Sequence, residues 1–319
     1  MLLLLLMKHF VMACGFLILN KIANYTSHQC VTQVRQAYHL KRVGHGGTLD
    51  PDVTGVLTIA IGSATRLLPY LPSKKSYLGE IQLGQITTTD DLRGEIVSNA
   101  MVPKLDLSQI QKILSSFLGV SEQQPPQISA IHINGERAYM RARRGENIIM
   151  PIKEITIDCL ELEHWEQITG RLRLRISCSS GTYVRSLSRD LGIALGCGGC
   201  LAWLQRTEAQ GFQLDIAVPI KALTGNSLPK LLTPIEAIKH LNSYKLTEDE
   251  YYSWECGRAF PFLYDHSILQ KSYAHAKETR INIQTGVPFS IIAPNGEMAG
   301  IGFAKDNVIQ PKVVLKPKQ

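Results

Sequence analysis

The sequence lacks any apolar run long enough to cross a bilayer as a helix, which takes about 20 residues. Its leucine-rich start, Met1 to Leu6, is soon interrupted by Lys8 and His9, and Asn20 and Lys21 follow. The start also lacks the order of a secretory signal, in which a basic stretch precedes the apolar one. Met7 and Met12 are alternative translation starts, so residues 1–14 are expected to be disordered or not translated. A disulfide framework is missing too. The seven cysteines are odd in number and scattered, a pattern that belongs to a reducing compartment. A cytoplasmic protein is expected, with no membrane partner. There is no Walker loop, HExxH, GxSxG or dinucleotide fingerprint, so the usual sequence marks of those enzyme classes are absent. No internal repeat appears, and no low-complexity tract beyond the first leucines.

What is present is size and positive charge. A chain of 319 residues is long for one domain and comfortable for two. It can bury a core large enough to need no metal or disulfide staple. The net charge of +7 and the isoelectric point near 9.0 suit a polyanionic partner such as RNA, or an anionic membrane surface. Charge alone does not choose between them.

Thr26-Ser27 followed by Cys30, Val31, Val34 and Ala37 predicts a capped amphipathic helix. The segment GHGGTLDPDVTG, Gly44 to Gly55, holds four glycines and a proline in twelve residues and predicts a turn. Tyr77, Ile81 and Leu83 share one face of a predicted strand. Thr87 to Gly94 is polar and predicts a loop. Ser108 with Gln111 suggests a capping box before the stripe Ile110, Ile113, Leu114, Phe117 and Leu118, which ends at Gly119. A basic stretch runs from Glu136 to Glu146. Leu172, Leu174, Ile176 and Cys178 alternate with Arg171, Arg173, Arg175 and Ser177, as in a half-buried strand. A helix is predicted from Thr182 to about Leu195. Beyond Leu246 short strands appear, and Asn295-Gly296 is a hairpin signal. A domain boundary is placed near residue 243.

Each candidate residue has two readings. Asp50, before Pro51, is either a turn aspartate or a carboxylate displayed on a rigid loop as nucleophile or base. Gly181-Thr182-Tyr183-Val184-Arg185 sits where a strand hands over to a helix. An arginine in a first helical turn does not help the helix dipole, so Arg185 is either an ordinary surface residue or a fork for a carboxylate or phosphate. Arg171, Arg173 and Arg175 form a solvated face or, with Arg137, Arg141, Arg143 and Arg144, a phosphate-binding surface on which Tyr139 stacks a base. His164-Trp165-Glu166 with Cys197-Gly198-Gly199-Cys200 imitates the HxE…CxxC pattern of zinc deaminases. Gly196 stands where that pattern has proline, and the CGGC follows a helix instead of opening one. Residue chemistry leads to a basic two-domain protein with an Asp loop and an Arg turn, and names no reaction.

GHGGTLDPDVTGVLTIAIGSATRLLPYL, Gly44 to Leu71, resembles the catalytic motif of the bacterial tRNA pseudouridine-55 synthase family, the TruB type. KSYLGEIQLGQITTTDDLRGEI resembles that family's tyrosine-bearing strand and the loop after it. PPQISAIHINGERAYMRARRGE resembles its RNA-contacting segment, and SGTYVRSLSRDLGIALGCGG its arginine motif. The likeness runs from about Gly15 to Phe212 with a weaker tail. It implies that Asp50 is the catalytic aspartate, that Tyr77 stacks on the target base, and that Arg185 pairs with the aspartate. It also implies that Tyr183 and Leu204 line the pocket, that His45 helps hold the extruded loop, and that Asp91 belongs to the active-site loop. Arg143 falls in the RNA-contacting segment.

The resemblance implies an α+β fold. A catalytic domain, 1–242, on an extended mixed, largely antiparallel sheet precedes a small β-rich, PUA-like RNA-binding domain, 243–319. The expected substrate is uridine 55 in the T-loop of tRNA, bound through the T-arm by a monomer without cofactor or metal. Non-enzymatic tRNA folding and zinc-dependent deamination are the alternatives. The chain departs from the family at Asn20 and Ile22, in place of the aspartate and proline of Leu-Asp-Lys-Pro. Ile128 stands for a tyrosine, His132 and Ser180 for lysines, and Gln205 for an arginine beside the retained Arg206.

Overall fold

The computed structural model describes residues 13–129, 131–133, 135–146, 148–225, 227–262 and 286–315. The leucine-rich start, and with it most of the 1–14 expectation, lies outside the described residues. So does the side chain of Arg143. The fold is α+β. The chain packs into two compact units, one built from residues up to Pro51, Gly55–Ser73 and the chain from Ala209 on, the other from Asp52–Thr54 and Lys74–Glu208.

In the first unit, Gly15–Lys21 runs antiparallel to Thr54–Ile61, from Gly15 opposite Ile61 to Lys21 opposite Gly55. Both segments are almost continuously apolar because both are buried along nearly their whole length. Val43–His45 also pairs antiparallel with Thr54–Ile61, and Val218–Pro219 pairs parallel with Gly15–Lys21. The helix Ser27–Ala37 begins where its sequence says. The Thr26 hydroxyl accepts the Gln29 N–H while the Gln29 side chain returns to the Thr26 backbone. It buries Cys30, Val31 and Val34.

The same unit holds a five-stranded sheet ordered Ser243–Lys245, Val287–Ile292, Met298–Lys305, Val308–Val314, Phe260–Pro261. Asn295-Gly296 turns the chain between the Val287–Ile292 and Met298–Lys305 strands, with Gly296 at φ 84°. Trp254 is fully buried against this sheet, and its indole N–H donates to the Ala299 carbonyl at 2.9 Å. Ile301, Phe303 and Val313 share an apolar cluster with Phe16, Ile18 and Tyr70, so the C-terminal strands close over the N-terminal ones.

In the second unit the strands lie in the order Gly199–Ala209, Lys75–Leu83, Arg171–Cys178, Lys153–Glu166, Gly119–Gln123. Alternation decides their faces. Tyr77, Gly79, Ile81 and Leu83 are buried, as are Leu172, Leu174 and Ile176. The arginines between the latter face outward onto acidic partners. Arg171 and Arg173 both reach Glu80, at 3.1 and 3.0 Å, and Arg175 pairs with Glu163. This is a solvated ion-pair face, and the arginines are already engaged with carboxylates. The helix Leu107–Ser116 is capped by Asp106, not Ser108. The Asp106 carboxylate accepts both the Gln109 N–H and the Ser108 hydroxyl, at 2.8 and 2.7 Å, so Ser108 serves as its donor. Among the described residues no helix is long and apolar enough to cross a membrane.

Burial sorts the thiols. It pushes Cys178 and Cys200 up to about 11, while Cys256 is exposed. A maleimide at pH 7 is expected to label Cys256 well before either buried thiol, because the thiolate is the reactive form. Peptide mapping against time checks the order.

Candidate active site

Asp50 belongs to the first unit, on the glycine-rich loop, and is partly exposed. The backbone on each side of it is anchored. Before it, the buried Ser27 hydroxyl accepts the Leu49 N–H at 2.9 Å and lies 3.2 Å from the Leu49 carbonyl, to which it donates. After it, Lys21 Nζ donates to the Pro51 carbonyl at 2.7 Å. The same ammonium reaches the carbonyls of Tyr25 at 2.6 Å and Ile22 at 3.0 Å, and Lys21 is 0% exposed. A buried lysine is tolerable only with such partners. Further back, the Gly46 N–H donates to the Thr58 carbonyl at 2.9 Å. A Cβ on Gly46 would fall 2.0 Å from Oε1 of Gln210, so a larger residue there would need that side chain to swing aside. His45, opposite Ile59, ends the strand that leads into the loop. A carboxylate on a loop fixed on both flanks is preorganised to act on a bound group.

In the second unit Tyr77 sits mid-strand opposite Ile176 and is largely buried. Arg206, on the neighbouring strand Gly199–Ala209, is 1% exposed and hydrogen-bonds to the Tyr77 hydroxyl. Burial presses the Arg206 guanidinium below its ordinary value, and Tyr77 opposes that shift. Leu204 lies beside the same tyrosine-bearing strand: a Cβ on Gly79 would be 3.2 Å from Leu204 Cδ1. Arg206→Met is expected to release the Tyr77 ring and to slow turnover by up to about 100-fold, as a misplaced contact group does. Rates and affinity measured separately check this, and an unchanged rate would remove Arg206 from the site.

Asp91 and Arg185 meet in this unit. Arg185 enters from the first turn of the helix Val184–Ala194 and is buried. It donates to the carbonyls of Thr89 at 3.3 Å and Ile128 at 3.0 Å, and its Nε lies 3.9 Å from Asp91 Oδ2. The other Asp91 oxygen accepts the Thr89 hydroxyl at 2.7 Å and the Arg93 N–H at 3.0 Å. Arg93 in turn pairs with Asp52 at 2.7 Å. Asp90, just before, sits at φ 57°. Burial pushes its carboxyl up from the ordinary value, with Arg189 and Arg185 opposing. Tyr183 caps the same helix and is held at its backbone by the buried Gln123 side chain, which accepts its N–H at 2.8 Å and donates to its carbonyl at 3.2 Å. Arg143 ends the short helix Ala138–Arg143.

The sequence residues therefore fall into three groups. His45 ends the strand that leads into the Asp50 loop. Tyr77 and Leu204 share one strand pair. Asp91, Tyr183 and Arg185 gather at one helix start. Sequence reasoning missed Ser27, Lys21, Gln123 and Arg206. Lys21 carried a signal, a charged residue at the end of an apolar strand, whereas Arg206 sits among Gln205, Thr207 and Glu208 and carried none. The contacts also explain two departures. Ile22 and Ile128 take part through their carbonyls, which any side chain leaves in place.

The zinc pattern does not assemble. Glu166, at the end of Lys153–Glu166, accepts the Thr169 hydroxyl at 2.7 Å. The CGGC is a buried bend that runs into the strand Gly199–Ala209, with Gly198 at φ 74° and a Cβ there meeting Ile86 at 2.5 Å. Burial raises both thiols, which disfavours the thiolate a metal needs. Among the described residues no three His, Cys, Asp or Glu side chains are grouped to hold a metal ion.

Comparison with solved structures places the architecture. A Cbf5–Nop10–Gar1 complex matches at TM-score 0.68 and 20% identity, over 95% of this chain and 85% of that one. A structure of an H/ACA RNP bound to a substrate RNA containing 2'-deoxyuridine matches at TM-score 0.67 and 18% identity, over 95% and 86%. At such identities the likeness is one of fold. A family model described as TruB family pseudouridylate synthase, N-terminal domain, matches residues 35–184. That defines the class, the pseudouridylate synthases. The tRNA pseudouridine synthase B of Prochlorococcus marinus (strain MIT 9313) is 46% identical, over 94% of this chain and 97% of its own length. That of Parasynechococcus marenigrum (strain WH8102) is 47% identical, over 94% and 97%. Within the class, this chain belongs to the TruB family.

Proposed function

We propose that this chain is a tRNA pseudouridine synthase that isomerises uridine 55 in the T-loop, with Asp50 as its catalytic carboxylate. The names of the relatives support the activity, and the doubly anchored Asp50 loop is the observation that carries the residue assignment. In the reaction the N1–C1′ glycosidic bond breaks, C1′ bonds to C5, the hydrogen on C5 leaves as a proton and N1 takes one up. Reactant and product are isomers, so no electron acceptor or cosubstrate is consumed. What the protein must supply is an anion beside the nucleotide and compensation for flipping it from its stack, which costs a few kcal/mol.

His45, Tyr77, Asp91, Arg143, Tyr183, Arg185 and Leu204 are the proposed substrate contacts. The net charge of +7 favours a polyanion, and Tyr77 is the proposed stacking face. Residues 243–319 are proposed as a PUA-like RNA-binding domain, and the protein is taken to act as a cytoplasmic monomer. The decisive experiment is tritium release from C5-labelled uridine in a T-arm hairpin. Release with stoichiometric pseudouridine is expected. No release would end this reading, because C5 must lose its hydrogen to bond C1′.

A further inference from the structure

The helix Val184–Ala194 carries a second arginine, Arg189, one turn beyond Arg185 and so on the same face. The function proposed above gives it no task. Its guanidinium is nonetheless occupied along three edges. Nη1 donates to Asp90 Oδ2 at 2.9 Å, Nη2 to the Gln124 carbonyl at 3.0 Å, and Nε to Asp190 Oδ1 at 2.9 Å. The side chains of Arg189 and Asp90 are only 22% and 13% exposed, unlike those of an ordinary surface pair.

The partners matter because of what lies next to them. Asp90 immediately precedes Asp91, and its left-handed backbone lets its carbonyl accept the Leu201 N–H at 2.9 Å. Aspartate tolerates that conformation better than most residues, still at some cost, and the Leu201 and Arg189 contacts help to hold it. Gln124 opens the segment that reaches Ile128, whose carbonyl Arg185 holds. Ser186 donates to the same Gln124 carbonyl at 2.8 Å. Three residues on one helix, 185, 186 and 189, thus bind two separate loops, 87–94 and 124–128.

We propose that Arg189 is a positioning residue: by clasping Asp90 and the Gln124 carbonyl together, it fixes the loop that sets Asp91 against Arg185. This rests on the pseudouridine synthase reading for its effect on rate, though not for its effect on the loop. An arginine suits the task because its planar fork presents several donors in fixed, coplanar directions.

The test uses the full chain with the C5-tritiated T-arm hairpin under single-turnover conditions, with hairpin affinity and amide hydrogen exchange over 87–94 measured alongside. Arg189→Met and Asp90→Ser are each expected to slow tritium release about 10- to 100-fold. Affinity should move less than about threefold, since the phosphate contacts lie elsewhere. Both should speed exchange over 87–94, and the double variant should be no slower than the slower single one, because both remove the same contact. Arg189→Lys should recover part of the rate. Asp90→Asn, which preserves the shape of the side chain and removes its charge, covers the case in which Arg189→Met does not fold. Slower release with a faster-exchanging loop supports the clasp. Single effects that multiply in the double variant, or unchanged exchange in Arg189→Met or Asp90→Asn, would overturn it. If the unaltered chain releases no tritium, the reaction reading fails, while the exchange result still decides whether Arg189 holds the loop.

Discussion

Asp50→Asn is expected to abolish tritium release from the labelled T-arm hairpin, a loss on the order of 10⁴-fold or more, while hairpin affinity stays within about tenfold. The substitution is nearly isosteric and removes charge, not bulk. The anchors on either side act through backbone atoms: Ser27 holds Leu49 at its N–H and carbonyl, and Lys21 holds the carbonyl of Pro51. The loop therefore keeps its course when the side chain is exchanged, and a lost rate reports chemistry. Affinity rests on phosphate contacts and stacking, which the exchange of carboxylate for amide leaves untouched. A variant that loses affinity and rate together would show that the carboxylate is mainly a binding group. The variant also separates catalysis from tRNA folding. If cells carrying it behave as wild type, the folding role is what matters to them; if they behave as a deletion, the isomerisation is.

Local sequence signals anticipate much of the fold. The Thr26 cap, the alternation from Tyr77 to Leu83 and the Asn295-Gly296 hairpin are each set by residues a few positions apart, so periodicity and turn chemistry find them. Asp50, Tyr77 and Arg185 are named through family resemblance, since an Asp-Pro turn or a helix-start arginine is commonplace by itself. What cannot be read are contacts that link distant parts of the chain. Ser27 meets Leu49 across 22 positions, Gln123 meets Tyr183 across 60, and Arg189 meets Asp90 across 99. The strand arginines are open in the sequence. Arg171, Arg173 and Arg175 allow a solvated face or a phosphate surface, and Glu80 and Glu163 beside them favour the solvated face. Glu163 lies on the neighbouring Lys153–Glu166 strand, 12 positions away, and Glu80 on the Lys75–Leu83 strand is more than 90 away.

The most damaging change to stability at the site is expected at Lys21. Its ammonium, wholly buried, is the donor to three backbone carbonyls, those of Ile22, Tyr25 and Pro51. Lys21→Met keeps the aliphatic stem and removes the donor, so three part-buried carbonyls lose the partner they share. A hydrogen bond to a charged donor is worth about 1.5–3 kcal/mol, and the three carbonyls share one ammonium, so a loss on the order of 3 kcal/mol is expected. At about 2.1 cal/mol/K of unfolding entropy per residue, that lowers the melting temperature of a chain of this size by roughly 5 °C. The effect should not stop at stability. Without its donor the Pro51 carbonyl is free to move, and Asp50 moves with it, so the protein that remains folded at about 20 °C should turn over up to about 100-fold more slowly with little change in hairpin affinity. Ile22→Ala is the control. Ile22 contributes its carbonyl to Lys21 while its side chain is 44% exposed, so truncation should change stability by less than about 0.5 kcal/mol and leave the rate alone. If Lys21→Met and Ile22→Ala proved alike in both melting and turnover, the ammonium would not be what holds the aspartate loop.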